Sequence, residues 1–196
     1  VIQESLILLG LSHAGKTTTG KLLAELLNSP FYDTDALIQL HTGQSPRELC
    51  RKKGIVALHD AETAALRSCC ATVHDTAAVI AAGGGVCDNR AASAVLASIP
   101  HRIFLYATEA VLFERLTQDA QQAGCYPAFL QLLPATQYAA AQKLFSLLYA
   151  QRTAYYRQCC TLCIDTSYLT AAAVAQLIAA EYSKPIVKLP FQNRLP

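Results

Sequence analysis

The sequence predicts an α/β domain in which a parallel sheet is covered on both faces. Short segments that are apolar at every position alternate with longer ones whose apolar residues recur at helical spacing. Strands without a polar face must be buried on both sides, the condition of a parallel sheet between helical layers. The link from the first apolar segment to the first helix carries Gly10, Gly15 and Lys16, residues suited to a strand-to-helix turn that holds an anion.

In chain order, residues 5–10 read as the first strand and residues 16–27 as an amphipathic helix. Residues 30–33 form a short second strand. The stretch at about 34–67 is helical in pattern but broken at Gly43, Pro46 and Gly54, which predicts two or three helices in a side element. Residues 77–82 are wholly apolar and end in three glycines, the third strand. Asp88 or Asn89 then caps a helix running to Ser98. Residues 102–106 are a strand, 109–119 a helix, and 121–134 a loop with glycine and proline. A long helical segment over 135–158, a strand over 161–165 and a helix over 171–182 complete the domain. Residues 183–196, with three prolines, read as an extended tail.

A length of 196 residues fits one domain, 1–196, with a core that needs no disulfide or metal staple. Hydrophobic residues make up 53% and charged ones 15%, which excludes a disordered chain. A net charge of +2 argues against a nucleic-acid binder and against electrostatic attachment to a membrane. Apolar runs fall short of the ~18–20 residues that cross a bilayer, and the first residues lack the basic region of a secretory leader. Eight cysteines include a Cys160-x-x-Cys163 pair, but no second pair matches that spacing, so buried reduced thiols in a cytoplasmic monomer are expected.

Residues 10–17 satisfy GxxxxGK[ST] at every fixed position, in the required strand-to-helix context. Glycines let successive N–H groups converge on a phosphate, and the helix N-terminus adds positive potential. Gly10, Ser12, His13, Ala14, Gly15, Lys16, Thr17 and Thr18 are therefore the expected ATP contacts. Lys16 is suited to the β- and γ-phosphates, and the Thr17 hydroxyl to Mg²⁺. Asp33 and Asp35 follow the second strand, at the sheet edge where ligands gather. Two carboxylates there can divide the work, one holding the metal ion and one taking the proton of an attacking hydroxyl. Asp35 fits equally as the N-cap of the helix that begins at Ala36. Gly83, Gly84 and Gly85 bring bare backbone towards a substrate, or simply make a turn.

Together, residues 10–18, Phe-x-Asp-x-Asp at 31–35, the glycines at 83–85 and Arg152-Thr-Ala-Tyr155 resemble the shikimate kinases, over about residues 5–180. That resemblance implies a P-loop kinase fold with a five-stranded parallel sheet, a helical substrate-binding element and a lid at about 119–135. It also implies ATP-dependent phosphorylation of a shikimate hydroxyl. By matching position, Lys16, Asp33 and Asp35 are the catalytic set, with Thr17 and Asp33 at the magnesium ion. Asp35, His59, Gly83, Gly84, Gly85 and Arg152 would bind the substrate, Arg152 through its carboxylate, and Arg115 would flank the adenine. Without the family, Arg152 reads as a charge on a solvated helix face and Arg115 as a charge at a helix end.

Two arginines of the family pattern are missing. His59 stands where the substrate element has one, and a histidine lacks the permanent planar fork that grips a carboxylate. Tyr126-Pro127-Ala128-Phe129 replaces Arg-Pro-Leu-Leu in the lid, and residues 116–142 contain no lysine or arginine. The lid is thus expected to bring no cation to the phosphoryl group. Kinases of another polyol or sugar acid, and nucleotide-binding proteins with little or no phosphotransfer, are the alternatives.

Overall fold

Five parallel strands form one sheet in the order β2-β3-β1-β4-β5, with β1 at Leu6–Leu9, β2 at Phe31–Asp33, β3 at Val79–Ala81, β4 at His101–Tyr106 and β5 at Leu162–Asp165. The computed structural model describes residue 2 and residues 4–72 and 77–182. All four side chains of β1 and all three of β3 are buried, as strands with two covered faces require. The helices are α1 Lys16–Leu27, α2 Thr34–Thr42, α3 Pro46–Thr72, α4 Arg90–Leu96, α5 Glu109–Ala123, α6 Tyr138–Cys159 and α7 Ala171–Tyr182. The main core joins β1, β3 and β4 to α1, α5, α6 and α7, while Ile38, Leu49, Leu58 and Ala65 form a smaller core of their own between α2 and α3.

The element boundaries differ from expectation in instructive places. Helix α3 runs to Thr72 rather than ending near Leu66, and the expected break at Gly54 is present as a kink between two helical parts. With φ 85°, ψ 174° at Gly54, the chain kinks and resumes as helix, a conformation that only glycine adopts without strain. Ser45 and Glu48 start α3 as a capping box: the Ser45 N–H donates to Glu48 Oε2 (3.0 Å) and the Glu48 N–H to Ser45 Oγ (3.3 Å). Asn89, not Asp88, caps α4, its Oδ1 accepting from the Ala92 N–H at 3.1 Å. Asp88 belongs to a short 3₁₀ turn over Val86–Asp88. Helix α5 continues past Asp119 to Ala123, so only the later part of the expected lid is loop. That loop is closed by a bridge between Cys125 and Pro134 and holds a 3₁₀ turn at Ala128–Leu130.

All eight cysteines are free thiols, and no group of metal-ligating side chains occurs among the described residues. Burial pushes the Cys69 thiol up to about 12 and the Cys87 thiol to about 11. Among the described residues no helix is long and apolar enough to cross a membrane. The expected tail, residues 183–196, lies outside the described residues.

Candidate active site

The chain leaves β1 towards β2 and β3 on one side, then crosses to β4 and β5 on the other. A parallel sheet opens a crevice at such a switch, outside the carboxyl ends of its strands. Here the crevice measures about 830 Å³ and is lined by the loop after β1, by Asp33 and Asp35 after β2, by Gly84 and Gly85 after β3, and by side chains of α3, α5 and α6.

On the nucleotide side the loop satisfies its own cation. Buried Lys16 donates through Nζ to the carbonyl oxygens of Gly10 (2.9 Å) and Leu11 (2.8 Å). Burial pulls its pKa down to about 8, opposed by the charges of Asp35 and Asp33. The Thr17 hydroxyl donates to Asp33 Oδ2 at 2.6 Å, so a hydroxyl and a carboxylate stand side by side at the mouth of the loop. Hard oxygen donors of this kind suit Mg²⁺, which keeps several of its waters and takes few protein ligands. The other Asp33 oxygen accepts from the N–H groups of Asp35 (2.9 Å) and Ala36 (3.4 Å). Asp33 is therefore the N-cap of α2, and the capping alternative for Asp35 is corrected.

Released from capping, Asp35 turns its carboxyl to the crevice, with Oδ1 close to Gly83. The residue as a whole is exposed, while the crevice walls stand around its carboxyl. Burial and the neighbouring Asp33 push its pKa up, and Lys16 draws it down. His13 adopts a left-handed backbone (φ 66°), and its pKa is lowered by burial against the pull of Asp119. Arg115 is not a free helix-end charge: its Nη1 donates to the His13 carbonyl at 3.0 Å.

The acceptor side is assembled from distant parts of the chain. Arg152 on α6 is only 2% exposed, so its reading as a solvated charge is corrected. It pairs through Nη2 with Asp88, donates through Nη1 to the Gly84 carbonyl (3.2 Å) and lies 4.3 Å over the Phe129 ring. Its Nε is buried with no partner. Gly84 packs so tightly on the nucleotide loop that a Cβ there would lie 2.6 Å from both Ser12 N and Ser12 Oγ. A Cβ on Gly85 would meet nothing nearer than 3.8 Å, and the Gly83 N–H is held by Thr34 Oγ1 at 2.8 Å. His59 lines the crevice from α3, its carbonyl accepting from Asn89 Nδ2 at 2.7 Å. Tyr126 sits inside the core, fully buried and stacked on Phe113 at 6.3 Å, so the loop after α5 presents Pro127, Ala128 and Phe129 to the crevice instead.

Sequence reasoning passed over three side chains of this crevice. Arg47, in the first turn of α3, reaches Asp119 of α5 at 2.5 Å, and the Ser45–Glu48 capping box was the signal that placed it. Glu62, one turn along α3 from His59, accepts from Asn89 Nδ2 at 3.2 Å. Burial pushes its pKa up to about 7; Asp35 and Asp88 add to the shift, and Asn89 and Arg152 oppose it. Phe129 stood in the sequence only as the last residue of the Tyr126–Phe129 comparison, and its contact with Arg152 depends on how the loop after α5 folds.

A family model described as shikimate kinase matches residues 12–183. The chain belongs to the shikimate kinase family. It is 32% identical over 178 residues to a shikimate kinase of Oleidesulfovibrio alaskensis, covering 89% of this chain and 95% of that one. It is 29% identical over 164 residues to one from Enterococcus faecalis, covering 84% and 89%. A solved shikimate kinase from Acinetobacter baumannii in complex with shikimate superposes with a TM-score of 0.76 at 26% identity, covering 93% of this chain and 95% of that one. Like the other members of this family, the chain is a P-loop kinase, a phosphotransferase acting on a hydroxyl group.

Proposed function

We propose that this chain transfers the γ-phosphoryl group of ATP to a ring hydroxyl of shikimate. The reading rests on one observation above all: Asp35, its pKa raised, faces the crevice that Lys16 and the complete phosphate loop also line. The substrate hydroxyl gives its proton to Asp35 as its oxygen bonds to the γ-phosphorus, and the bond from that phosphorus to the ADP oxygen breaks. Lys16 and the loop N–H groups neutralise the phosphates. Thr17 and Asp33 would hold Mg²⁺, which when bound screens the phosphate charge. Arg152 and His59 receive the carboxylate, beside the backbone of Gly83, Gly84 and Gly85, while Arg115 flanks the nucleotide base. Helices α2 and α3 are the acceptor-binding element of a single domain, and the loop after α5 is its lid. Eight free thiols support a place in the cytoplasm, and a net charge of +2 supports the absence of nucleic acid and membrane partners.

A coupled ADP-release assay across shikimate, gluconate and neutral polyols tests this. Shikimate should give the highest kcat/KM. A polyol that outperforms it, or ADP release that ignores every acceptor, would refute the assignment.

A further inference from the structure

Asp88 takes no part in the transfer described above, yet it holds the cation on which acid recognition depends. Its carboxylate is 43% exposed at the crevice, whereas the Arg152 side chain is 2% exposed. Its other direct contacts are neutral, the Gly84 carbonyl and the face of Phe129, while Glu62 and Lys16 lie within electrostatic reach. Asp88 is thus the carboxylate in contact with this buried charge, and it approaches from the side open to ligand. A guanidinium grips a carboxylate best through two parallel N–H groups, and Nη2 belongs to both of its forks, with Nη1 and with Nε. Here Nη2 is paired with the protein's own acid, and the buried Nε has no partner. Asp35 and Asp88 both interact electrostatically with Glu62, which gathers three carboxyl groups on this side of the crevice. His59, the other group facing that space, has no permanent charge with which to compensate.

We propose that Asp88 is a specificity-determining residue: an internal carboxylate that competes with the acid group of the acceptor for Arg152. Binding an acid is then an exchange of one carboxylate for another, and acids lose affinity relative to neutral molecules of the same shape. This rests on the reading of the crevice as a shikimate site with Arg152 as its carboxylate contact.

The test measures Kd by calorimetry for shikimate and for its neutral methyl ester, both with Mg·ADP present. The proteins are the wild type, Asp88→Asn, Asp88→Ser and Asp88→Glu. Both neutral variants should bind shikimate about tenfold or more tightly than the wild type, the scale of one charge-assisted contact, and the ester about as the wild type does. Asp88→Glu keeps the charge and should resemble the wild type. Wild-type binding of shikimate that is unchanged or weakened in both neutral variants overturns the proposal and leaves the shikimate reading standing. Equal tightening for acid and ester also overturns it, since charge would not be the cause. Shikimate bound by none of the proteins, with Mg·ADP still bound, removes the shikimate reading and this proposal with it. Loss of Mg·ADP binding in both neutral variants would make Asp88 the structural counter-charge of a buried arginine, again overturning the proposal.

Discussion

In the nucleotide half of the crevice, Lys16 finds its partners at Gly10 and Leu11, six and five residues away. In the acceptor half, Arg152 finds Gly84 and Asp88, 68 and 64 residues away. The first cation rests on backbone carbonyls that any sequence supplies, and the second on a side-chain carboxylate from another element. The difference teaches which half is open to change. A loop built on its own backbone keeps its geometry whatever surrounds it. A pocket built from far-apart side chains can exchange an arginine for His59, or gain an Asp88, without disturbing the sheet.

If this contrast is right, the largest effect belongs to the group that faces both halves. Asp35→Asn should lower kcat by about 10²–10⁴, the usual worth of a positioned base. The melting temperature should hold or rise, because Asp33 does the capping and the replaced carboxyl is itself disfavoured by burial. Unchanged turnover in steady-state kinetics would remove Asp35 from the chemistry. Next in size, Lys16→Met should weaken ATP binding by about 10²–10³ while leaving shikimate binding near wild type. Equal losses for both ligands would mean that the halves are not separable.

The third comparison lies within the glycine run. Gly84→Ala forces a methyl onto Ser12 and should cost about 1–3 kcal/mol in denaturant unfolding. Gly85→Ala meets no close atom and should stay within about 0.5 kcal/mol. Similar costs at the two sites would contradict the packing. The smallest effect concerns Glu62, whose pKa rises from its ordinary value of 4.5 to about 7 on folding. Between those values the folded chain keeps a proton that the unfolded chain releases, so raising the pH through that window removes stability. Glu62→Gln should be spared this loss. Its melting temperature relative to wild type should climb from pH 4.5 to 7 and level off above. A constant difference across that range would show that Glu62 does not titrate there.

Local order was the legible part. The spans of α1 and α7 agree with the sequence reading to the residue, and each expected strand pairs in the sheet within one or two residues of its expected ends. The phosphate loop was readable because its chemistry needs a contiguous run of residues. The two aspartates were readable as a pair but not by role: residues 33 and 35 stand at either side of a helix start, and only the backbone decides which one caps. The burial of Arg152 and of Tyr126 was not legible, for one reason. Burial of an arginine depends on an aspartate and a phenylalanine brought from elsewhere, and burial of a tyrosine on Phe113 in another helix. No local pattern encodes such partners.

Gly84 carries a consequence for anyone who would transplant this acceptor pocket onto another phosphate loop. Its carbonyl is gripped from the α6 side by Arg152 and by Tyr156 (3.4 Å), while its Cα rests against Ser12. The two modules are therefore welded at one residue rather than joined by a linker, and on the proposed reading the spacing of phosphoryl donor and hydroxyl acceptor follows from that contact. A graft with any side chain at that seam would wedge the reactants apart by the width of a methyl group. A misplacement of about 1 Å is enough to slow such a transfer about a hundredfold.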